Sequence, residues 1–399
     1  MPGTQMLPNV YDVGSVAKDA NQFFGREGDV AEIVSAIQTP SNLPHYFIYG
    51  QKRSGKTSLL YHVRMRLAEL GSFICVDMDC LKFNVACEED IYYEMLQCIR
   101  NTIDRKYNRR IKGDDARKPL PLFNVPPRQE VTFSVFCNIL EDVNCYLQDS
   151  IGWENYKLVL FIDEFTSTYK WFKKNLISKA FFSRWKSLQS CSLFSAVLIG
   201  QDVLRYVVRD LVPNDWSGFT FKQLTYLRPE DARRLVTEPI IQASGKRDIF
   251  IGNAVNRILY YSDSSTYYTK WICHELIEYV NSNRLPSITE ADVETCIRRS
   301  LCGMSPQLKV LFDPLEYSGQ DPIESEFTAD QTKEILEQVT RGELNNTVRG
   351  CSRKQIASDN VDVDKILSEL VDRQVLVNDN DYFKIKVKLY LIWTLLRIK

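Results

Sequence analysis

A short glycine-rich segment carries the residues whose types and spacing most clearly predict chemistry. Residues 46–60 read YFIYGQKRSGKTSLL, in which Gly50, Gly55, Lys56 and Thr57 match the pattern GxxxxGK[ST]. An apolar strand-like run precedes the pattern and an amphipathic helix-like run follows it. Glycines let backbone N–H groups curl around an anion, and the N-terminus of a helix adds its dipole. The segment therefore predicts a site for the phosphates of a nucleotide.

Each position of this loop has an expected task. Lys56 is expected to reach the β and γ phosphates, and the Thr57 hydroxyl is expected to ligate Mg²⁺, so that ATP and Mg²⁺ are the predicted cofactors. The alternative interpretation is a basic turn that caps a helix. The loop residues that we expect to contact the nucleotide are Gly50, Gln51, Ser54, Gly55, Lys56, Thr57 and Ser58.

Two further strand ends carry polar residues. The run KLVLFIDEF, residues 157–165, ends in Asp163, placed to ligate Mg²⁺, and Glu164, placed to polarise an attacking water. Gln201 follows the apolar run 196–199 and could sense the γ phosphate or orient water. An acidic loop start and a simple turn are the alternative interpretations. The predicted catalytic residues are Lys56, Asp163, Glu164 and Gln201.

The elements that must position these residues alternate along the chain. Buried strands are predicted at 45–49, 73–78, 158–162, 196–199 and 219–224. Helices are predicted at 56–70, 88–103, 132–147 and 176–188. The first lies between the first and second strands, the next two lie between the second and third strands, and the last lies between the third and fourth strands. Alternating strands and helices indicate an α/β fold with a parallel sheet covered on both faces. Residues 105–128 combine proline, glycine and charge without periodicity, which predicts an exposed loop.

The chain divides into four predicted parts. An N-terminal segment with a helix covers 1–44, and a P-loop ATPase core covers 45–227. Helical patterns at 229–240, 252–261, 265–282 and 289–301 make a helical lid of 228–303. The remainder, 304–399, combines helices with a predicted hairpin whose strands, 375–377 and 382–387, flank an Asn-Asp-rich turn, which suggests a winged helix.

Composition excludes several classes of protein. Fifty basic and 51 acidic residues among 399 give no global field that would draw the chain to nucleic acid or anionic lipid. Eleven cysteines without a CxxC pair and three scattered histidines indicate neither a zinc site nor a disulfide framework. The N-terminus lacks the features of a signal peptide, and the longest apolar run, 389–396, is too short to cross a bilayer. We therefore expect a cytoplasmic protein with no membrane partner.

The order of these motifs resembles the STAND-type branch of the AAA+ P-loop ATPases, particularly its prokaryotic members. The resemblance is carried by FFGRE, GQKRSGKTSLL, LFIDEF, LIGQ, LTYLRPEDARRLVTEPI and the ending YFKIKVKLYLIW. It implies strand order 2-3-4-1-5, a helical lid, and a winged helix that closes over nucleotide. It also implies that Gly25 and Arg26 lie by the adenine and that Pro239 stacks on the base.

The sequence departs from the family pattern in the lid. Many relatives carry a Gly-Gly-His-Pro-like turn there, where this chain has SDSSTYYTKWICHEL at 262–276. An arginine that would act on a neighbouring subunit's nucleotide has three candidates, Arg184, Arg205 and Arg209. For each of them a solvated or salt-bridged side chain is the simpler interpretation.

Three functions compete at this stage. The favoured one is an ATP-hydrolysing regulatory switch. It would control either self-assembly as a homo-oligomer or a separately encoded protein partner. Family association links such ATPases to antiphage defence. The second is a nucleic-acid-dependent ATPase that uses the basic runs 105–112 and 170–186. It is not favoured, because the candidate recognition helix VDVDKILSELVDRQ carries four acidic residues against two basic ones. The third is a non-hydrolysing scaffold, or a fragment of a larger sensor.

Overall fold

A computed structural model describes most of the chain: residues 6–39, 43–111, 117–153, 155–190, 193–206, 216–245, 248–302, 306–317, 327–359 and 361–398. Within these residues, no helix is both long and apolar enough to cross a membrane.

The core is a five-stranded parallel sheet. Its strands are β1 (His45–Tyr49), β2 (Phe73–Asp79), β3 (Lys157–Asp163), β4 (Ser195–Gly200) and β5 (Phe219–Gln223). Their order in the sheet is β2-β3-β4-β1-β5, and every neighbouring pair is parallel. The predicted α/β class, the five strands and the order 2-3-4-1-5 are thereby confirmed.

Helices cover both faces of this sheet. They are α1 (Glu27–Gln38), α2 (Lys56–Leu70), α3 (Glu88–Thr102), α4 (Phe133–Asp149), α5 (Ser167–Lys173), α6 (Lys179–Ser190) and the short α7 (Leu204–Tyr206). One apolar cluster joins α1 and α2 to one face, and a second joins α3, α4, α5 and α6 to the other. Because both faces are buried, residues 158–162 of β3 are all apolar and buried, as a parallel central strand requires.

One expectation about the core was wrong in part. In the segment 105–128, residues 117–127 are irregular and many of them are exposed, as expected, but a turn of π-helix (Ile103–Tyr107) and a 3-10 turn (Asn108–Arg110) extend α3, and Leu120 and Phe123 are buried. The Asn108 side chain donates to the Leu120 carbonyl at 2.9 Å and accepts from its N–H at 2.8 Å, which fixes the segment. Helix α5, which precedes α6, was not among the four helices predicted for the core.

A helical lid follows β5. Its helices are α8 (Pro229–Ala243), α9 (Ala254–Ser262), α10 (Thr266–Asn283) and α11 (Glu290–Leu301). Proline and two acidic residues in the first turn start α8, and a Thr289–Asp292 capping box starts α11. The N-terminal segment runs along α10, where the Asn281 side chain bonds the backbone of Leu7 on both sides, at 2.8 and 2.9 Å.

The C-terminal unit shares a hydrophobic core with the lid. It contains α12 (Pro306–Glu316), α13 (Ala329–Asn345), β6 (Cys351–Ser352), α14 (Val363–Asp372), β7 (Leu376–Asp379), β8 (Tyr382–Ile385) and α15 (Lys388–Ile398). Its antiparallel sheet has the order β6-β8-β7, and the predicted hairpin is β7 with β8. Phe312 stacks on Tyr268 of the lid and lies 4.7 Å, centroid to centroid, from Trp393.

Candidate phosphate-binding site

The loop between β1 and α2 has the backbone that an anion site needs. Gly50 passes so close to β5 that a Cβ there would lie 2.4 Å from the Leu224 carbonyl oxygen. Gly55 has φ +95°, in the left-handed region that favours glycine, and it precedes α2 without any side-chain cap. The first N–H groups of α2 therefore point at the loop with no side chain capping them, as in a phosphate-binding helix N-terminus.

Lys56 lies inside the loop. Its Nζ donates to the Gly50 carbonyl at 3.0 Å and to the Gln51 carbonyl at 2.7 Å, and the side chain is buried. Burial lowers the pKa of Lys56, while Asp202, Glu164 and Asp163 act in the opposite direction. A cation held at this position faces the space in front of α2.

Two distant segments meet beside this lysine. The Thr57 Oγ1 donates to Asp163 Oδ2 at 3.0 Å, and the Glu164 N–H donates to Asp163 Oδ1 at 2.8 Å. Burial and the neighbouring Glu164 raise the pKa of Asp163. A divalent cation at this place would favour the ionised carboxylate. The hydroxyl and carboxylate oxygens are ligands that Mg²⁺ takes.

The donor set fits Mg²⁺ better than a transition metal. In the described part of the chain, no group of three or more His, Cys, Asp or Glu side chains could enclose a metal ion. Mg²⁺ usually keeps several waters and takes one or two protein oxygens together with phosphate oxygens. Thr57 and Asp163 supply that number of protein oxygens.

Glu164 and Gln201 face each other across the ends of β3 and β4. Glu164 has φ +52°, and the Gln201 Nε2 lies 3.5 Å from the Glu164 Oε2, the limit of a hydrogen bond. The Gln201 N–H donates to Thr166 Oγ1 at 2.7 Å, which fixes the start of the loop after β4. Both side chains line the cavity in front of α2.

That cavity has a volume of about 290 Å³. Predicted residues that line it are Arg26, Ser54, Gly55, Lys56, Thr57, Ser58, Glu164 and Gln201. Asp163 lines the adjoining cavity on the other side of Thr57. Gly50 and Gln51 belong to the loop but do not line this cavity.

Of the three residues expected to contact the nucleotide base, only Arg26 lines the cavity. Arg26 lines the cavity and donates to the Thr225 carbonyl, and burial lowers the pKa of its guanidinium. Gly25 has φ +72° and packs on α8, where a Cβ would meet the Asp231 Cβ at 2.7 Å. Pro239 is buried within α8 and is not among the lining residues. The base contacts of Gly25 and Pro239 stay predictions.

The sequence did not point to a group of residues that the lid and the N-terminal segment bring to the cavity. Residues 12–17 line it, as do Tyr267 and Lys270 of α10. Lys270 is buried; burial lowers its pKa, and Asp12 opposes that shift. A lysine on the buried face of α10, three residues before the buried Cys273, is the signal that could have identified it.

Two of the three arginine candidates for a neighbouring subunit are engaged within this chain. Arg184 pairs with Glu88, and Arg205 pairs with Asp372 at 3.2 Å. Arg209 lies outside the described residues.

Comparison with known proteins gives a fold. No protein-family model matches the chain, and no curated protein matches it significantly. A solved Walker-type ATPase of Pyrococcus abyssi superposes with a TM-score of 0.59 at 12% identity, covering 96% of this chain and 99% of that one. The chain has the fold of a P-loop ATPase. At this identity the likeness establishes the fold alone.

Two other solved structures are similar at lower scores. Cdc6p from Pyrobaculum aerophilum has a TM-score of 0.44 at 12% identity, covering 99% of this chain and 98% of its own. Drosophila ORC bound to DNA has a TM-score of 0.46 at 12% identity, covering 97% of this chain and 90% of its own.

Proposed function

We propose that this protein binds and hydrolyses ATP with Mg²⁺ and that its nucleotide state sets a regulatory switch. The observation that carries the proposal is the Thr57–Asp163 contact at 3.0 Å, which joins the predicted phosphate loop to the predicted acidic strand end. The residues are 106 positions apart, and their meeting beside Lys56 and the uncapped start of α2 supports a site for a magnesium-bound triphosphate.

The chain's own groups divide the chemistry among them. The N-terminus of α2 and Lys56 would hold the phosphates and offset the charge that develops during transfer. Mg²⁺, when bound, supplies Lewis-acid stabilisation of phosphate oxygens, with Thr57 and Asp163 as its protein ligands. Glu164 would accept a proton from, or orient, the attacking water, and Gln201 would hold Glu164 in place.

The switch would act through the units that surround the cavity. We propose four domains: an N-terminal part of 1–44, the core of 45–227, the lid of 228–303 and the C-terminal unit of 304–399. The last three all contribute residues near the loop. A nucleotide that contacts them unequally would shift their relative positions. We propose a separately encoded protein partner or self-assembly as the output, in the cytoplasm. The motif resemblance to STAND-type ATPases supports this role and an antiphage setting.

The test is the substitution Glu164→Gln, which removes the base but keeps the size of the side chain. We expect phosphate release to fall about a hundredfold or more, as for loss of a general base, while ATP stays bound. Glu141→Gln, at an exposed position of α4, is the control and should keep full turnover. Unchanged phosphate release in Glu164→Gln would count decisively against hydrolysis at this site.

The nucleic-acid-dependent alternative ranks second. Several basic residues that prompted it form ion pairs inside the chain: Lys106 with Asp77 at 2.8 Å and Arg109 with Asp104 at 2.7 Å. Such pairs reduce the positive charge available to a phosphate backbone. Lys112 lies outside the described residues. Salt-sensitive duplex binding that disappears when Arg109 and Arg110 are both changed to Glu would reverse this ranking.

The scaffold alternative differs from the switch in one measurement. A structural nucleotide would be retained as ADP through purification and would leave the mass in solution unchanged when ATP is added. A switch should exchange its nucleotide and change its assembly or partner binding with nucleotide state.

A further inference from the structure

A third, much smaller cavity lies between the phosphate loop and the C-terminal unit. Its lining includes Gln51 and Ser54 of the loop, Asp202 after β4, and Arg373 at the end of α14. The cavity has a volume of about 10 Å³, close to what one water molecule occupies by this measure.

Unpaired polar atoms surround this cavity. Within the described residues, the buried Ser54 Oγ, both carboxylate oxygens of Asp202, and the Arg373 Nε have no hydrogen-bond partner. Asp202 and Arg373 are each 2% exposed, and the Arg373 Nε lies 3.8 Å from Asp202 Oδ2, too far for a direct hydrogen bond. Because a buried polar group without a hydrogen-bond partner is unfavourable, a bridging water is favoured among these atoms.

Arg373 is anchored firmly within the C-terminal unit. Its Nη2 donates to the Pro314 carbonyl at 2.9 Å and to the Tyr317 carbonyl at 2.8 Å, and its Nη1 lies 3.4 Å from Glu369 Oε1. The guanidinium thus ties the end of α12 to the end of α14. A movement of the C-terminal unit relative to the core would therefore change the distance between this group and Asp202.

The phosphate loop also contacts the C-terminal unit directly. The Gln51 Nε2 donates to the Arg373 carbonyl, and the Arg53 Nη1 donates to the Val310 carbonyl at 2.9 Å. Beside them, the Gln223 Nε2 at the end of β5 donates to the Asp372 carbonyl at 3.1 Å. Two loop side chains and one strand end therefore hold the unit by its backbone.

We propose that these contacts form a latch, defined as Gln51, Arg53, Asp202, Gln223 and Arg373 with one bridging water, through which the C-terminal unit positions the phosphate loop. Arg373 is a positioning residue: it touches no nucleotide and acts through Asp202 and Gln51. This inference rests on the proposed function, since it assigns a regulator to the same nucleotide site.

The latch makes a reciprocal prediction. If docking of the C-terminal unit improves the geometry of the loop for nucleotide, bound nucleotide must stabilise docking by the same factor. Loss of the latch should therefore weaken nucleotide affinity and should also remove the effect of nucleotide on α14. A purely structural arginine would change stability without that second effect.

The experiment compares Arg373→Gln with Arg353→Gln in the full chain. Arg353 is an arginine of the same unit that pairs with the exposed Asp364, far from the loop, so it matches the chemistry of the change. The probe is a slowly hydrolysed ATP analogue with Mg²⁺. Its affinity is measured by titration, and amide hydrogen exchange over 363–375 is followed with and without the probe.

We expect the wild type and Arg353→Gln to bind alike and to show exchange over 363–375 slowed by the probe. Arg373→Gln should bind about tenfold more weakly, the effect of losing roughly one charge-assisted hydrogen bond, and should show no slowing even at saturation. Wild-type affinity together with wild-type slowing in Arg373→Gln would overturn the latch. A wild type that binds no nucleotide would overturn the proposed function and the latch together.

Arg373→Gln removes the positive charge that lies 3.8 Å from the buried Asp202 carboxylate, and this loss could prevent folding. Gln223→Ala then carries the test, because its side chain is half-buried, carries no charge and loses one neutral hydrogen bond to the unit. We expect it to bind the probe about threefold more weakly and to lose part of the slowing over 363–375. Unchanged values for both measurements in Gln223→Ala would contradict the latch as clearly.

Discussion

The two edges of the parallel sheet carry polar residues with opposite surroundings. At the carboxyl edge, β1 leads into Gly50 and the phosphate loop, β3 ends at Asp163, and β4 ends beside Gln201. At the amino edge, β1 begins with His45, which is buried between the rings of Phe194 and Phe219.

This difference shows where functional side chains gather in a fold with a parallel sheet. In a parallel sheet every strand delivers its carboxyl end to the same edge, so loops from distant parts of the chain meet there. Lys56, Asp163 and Gln201 come together for this reason, around a cavity. Polar groups at the amino edge meet packed side chains and backbone, and we interpret them as structural. Substitutions at the two edges should therefore affect different properties.

The largest effect is expected for Lys56→Met at the carboxyl edge. Methionine keeps the length and fills the buried space but removes the ammonium group that we expect to contact the phosphates. We expect the affinity for Mg²⁺-ATP to fall about a hundredfold or more, as for loss of a preorganised charge in a closed site. Isothermal titration of the folded variant measures it.

The matched control is Lys157→Met at the amino edge, where β3 begins. Lys157 Nζ donates to the Ile37 carbonyl at 3.2 Å, and burial lowers its pKa as it does for Lys56. We expect its nucleotide affinity to stay within about twofold of wild type, because Lys157 is not among the residues that line the cavity. Equal losses in both variants would contradict the contrast between the edges.

The next effect concerns stability and belongs to His45. Burial lowers the pKa of His45 to about 4, while its Nε2 lies 3.0 Å from the Phe194 carbonyl oxygen. In the unfolded chain a histidine has a pKa of about 6.5. The unfolded state therefore binds the extra proton first, and the stability that neutral His45 contributes is present above pH 6.5 and is lost as pH falls from 6.5 toward 4.

We expect the free energy of unfolding to fall between pH 8 and pH 5 by about 2 kcal/mol through this group, from the linkage of the two pKa values. His45→Leu should lack that part of the pH dependence and should keep its nucleotide affinity. Urea unfolding of both proteins at a series of pH values measures the difference. Identical slopes in the two proteins would show that His45 does not titrate in this way.

Much of the carboxyl edge was predictable because its signals are local. The glycine-lysine spacing of 50–57 and the adjacent acids at 163–164 lie within single turns, and the strand runs are continuous and apolar. The same holds for the five strands of the sheet, whereas their order was implied by the family resemblance and not by a local pattern. At this edge of the sheet, residues that are close in sequence are also close together in the site.

The parts of the fold and the site that were not predicted depend on contacts between distant residues, which no local sequence pattern indicates. Lys270 reaches the cavity because α10 packs across it, and the latch joins Gln51 to Arg373, 322 residues away. The segment 105–128 misled for the opposite reason: its prolines and charges suggest exposure, while Leu120 and Phe123 are too widely spaced to form a pattern. Burial in that segment is decided by the neighbouring α3 and Trp153 rather than by its own periodicity.

The smallest effect is expected for Gln201→Ala at the end of β4. Gln201 contacts Glu164 at 3.5 Å, a weak bond, so we expect kcat to fall about tenfold or less with nucleotide affinity retained. Gln189→Ala is the control, because Gln189 donates to the Gly218 carbonyl just before β5, at the amino edge. Steady-state phosphate release as a function of ATP separates kcat from affinity. A fall in kcat that is the same for both glutamines would reflect general loosening of the sheet, and the role of Gln201 at the carboxyl edge would then be wrong.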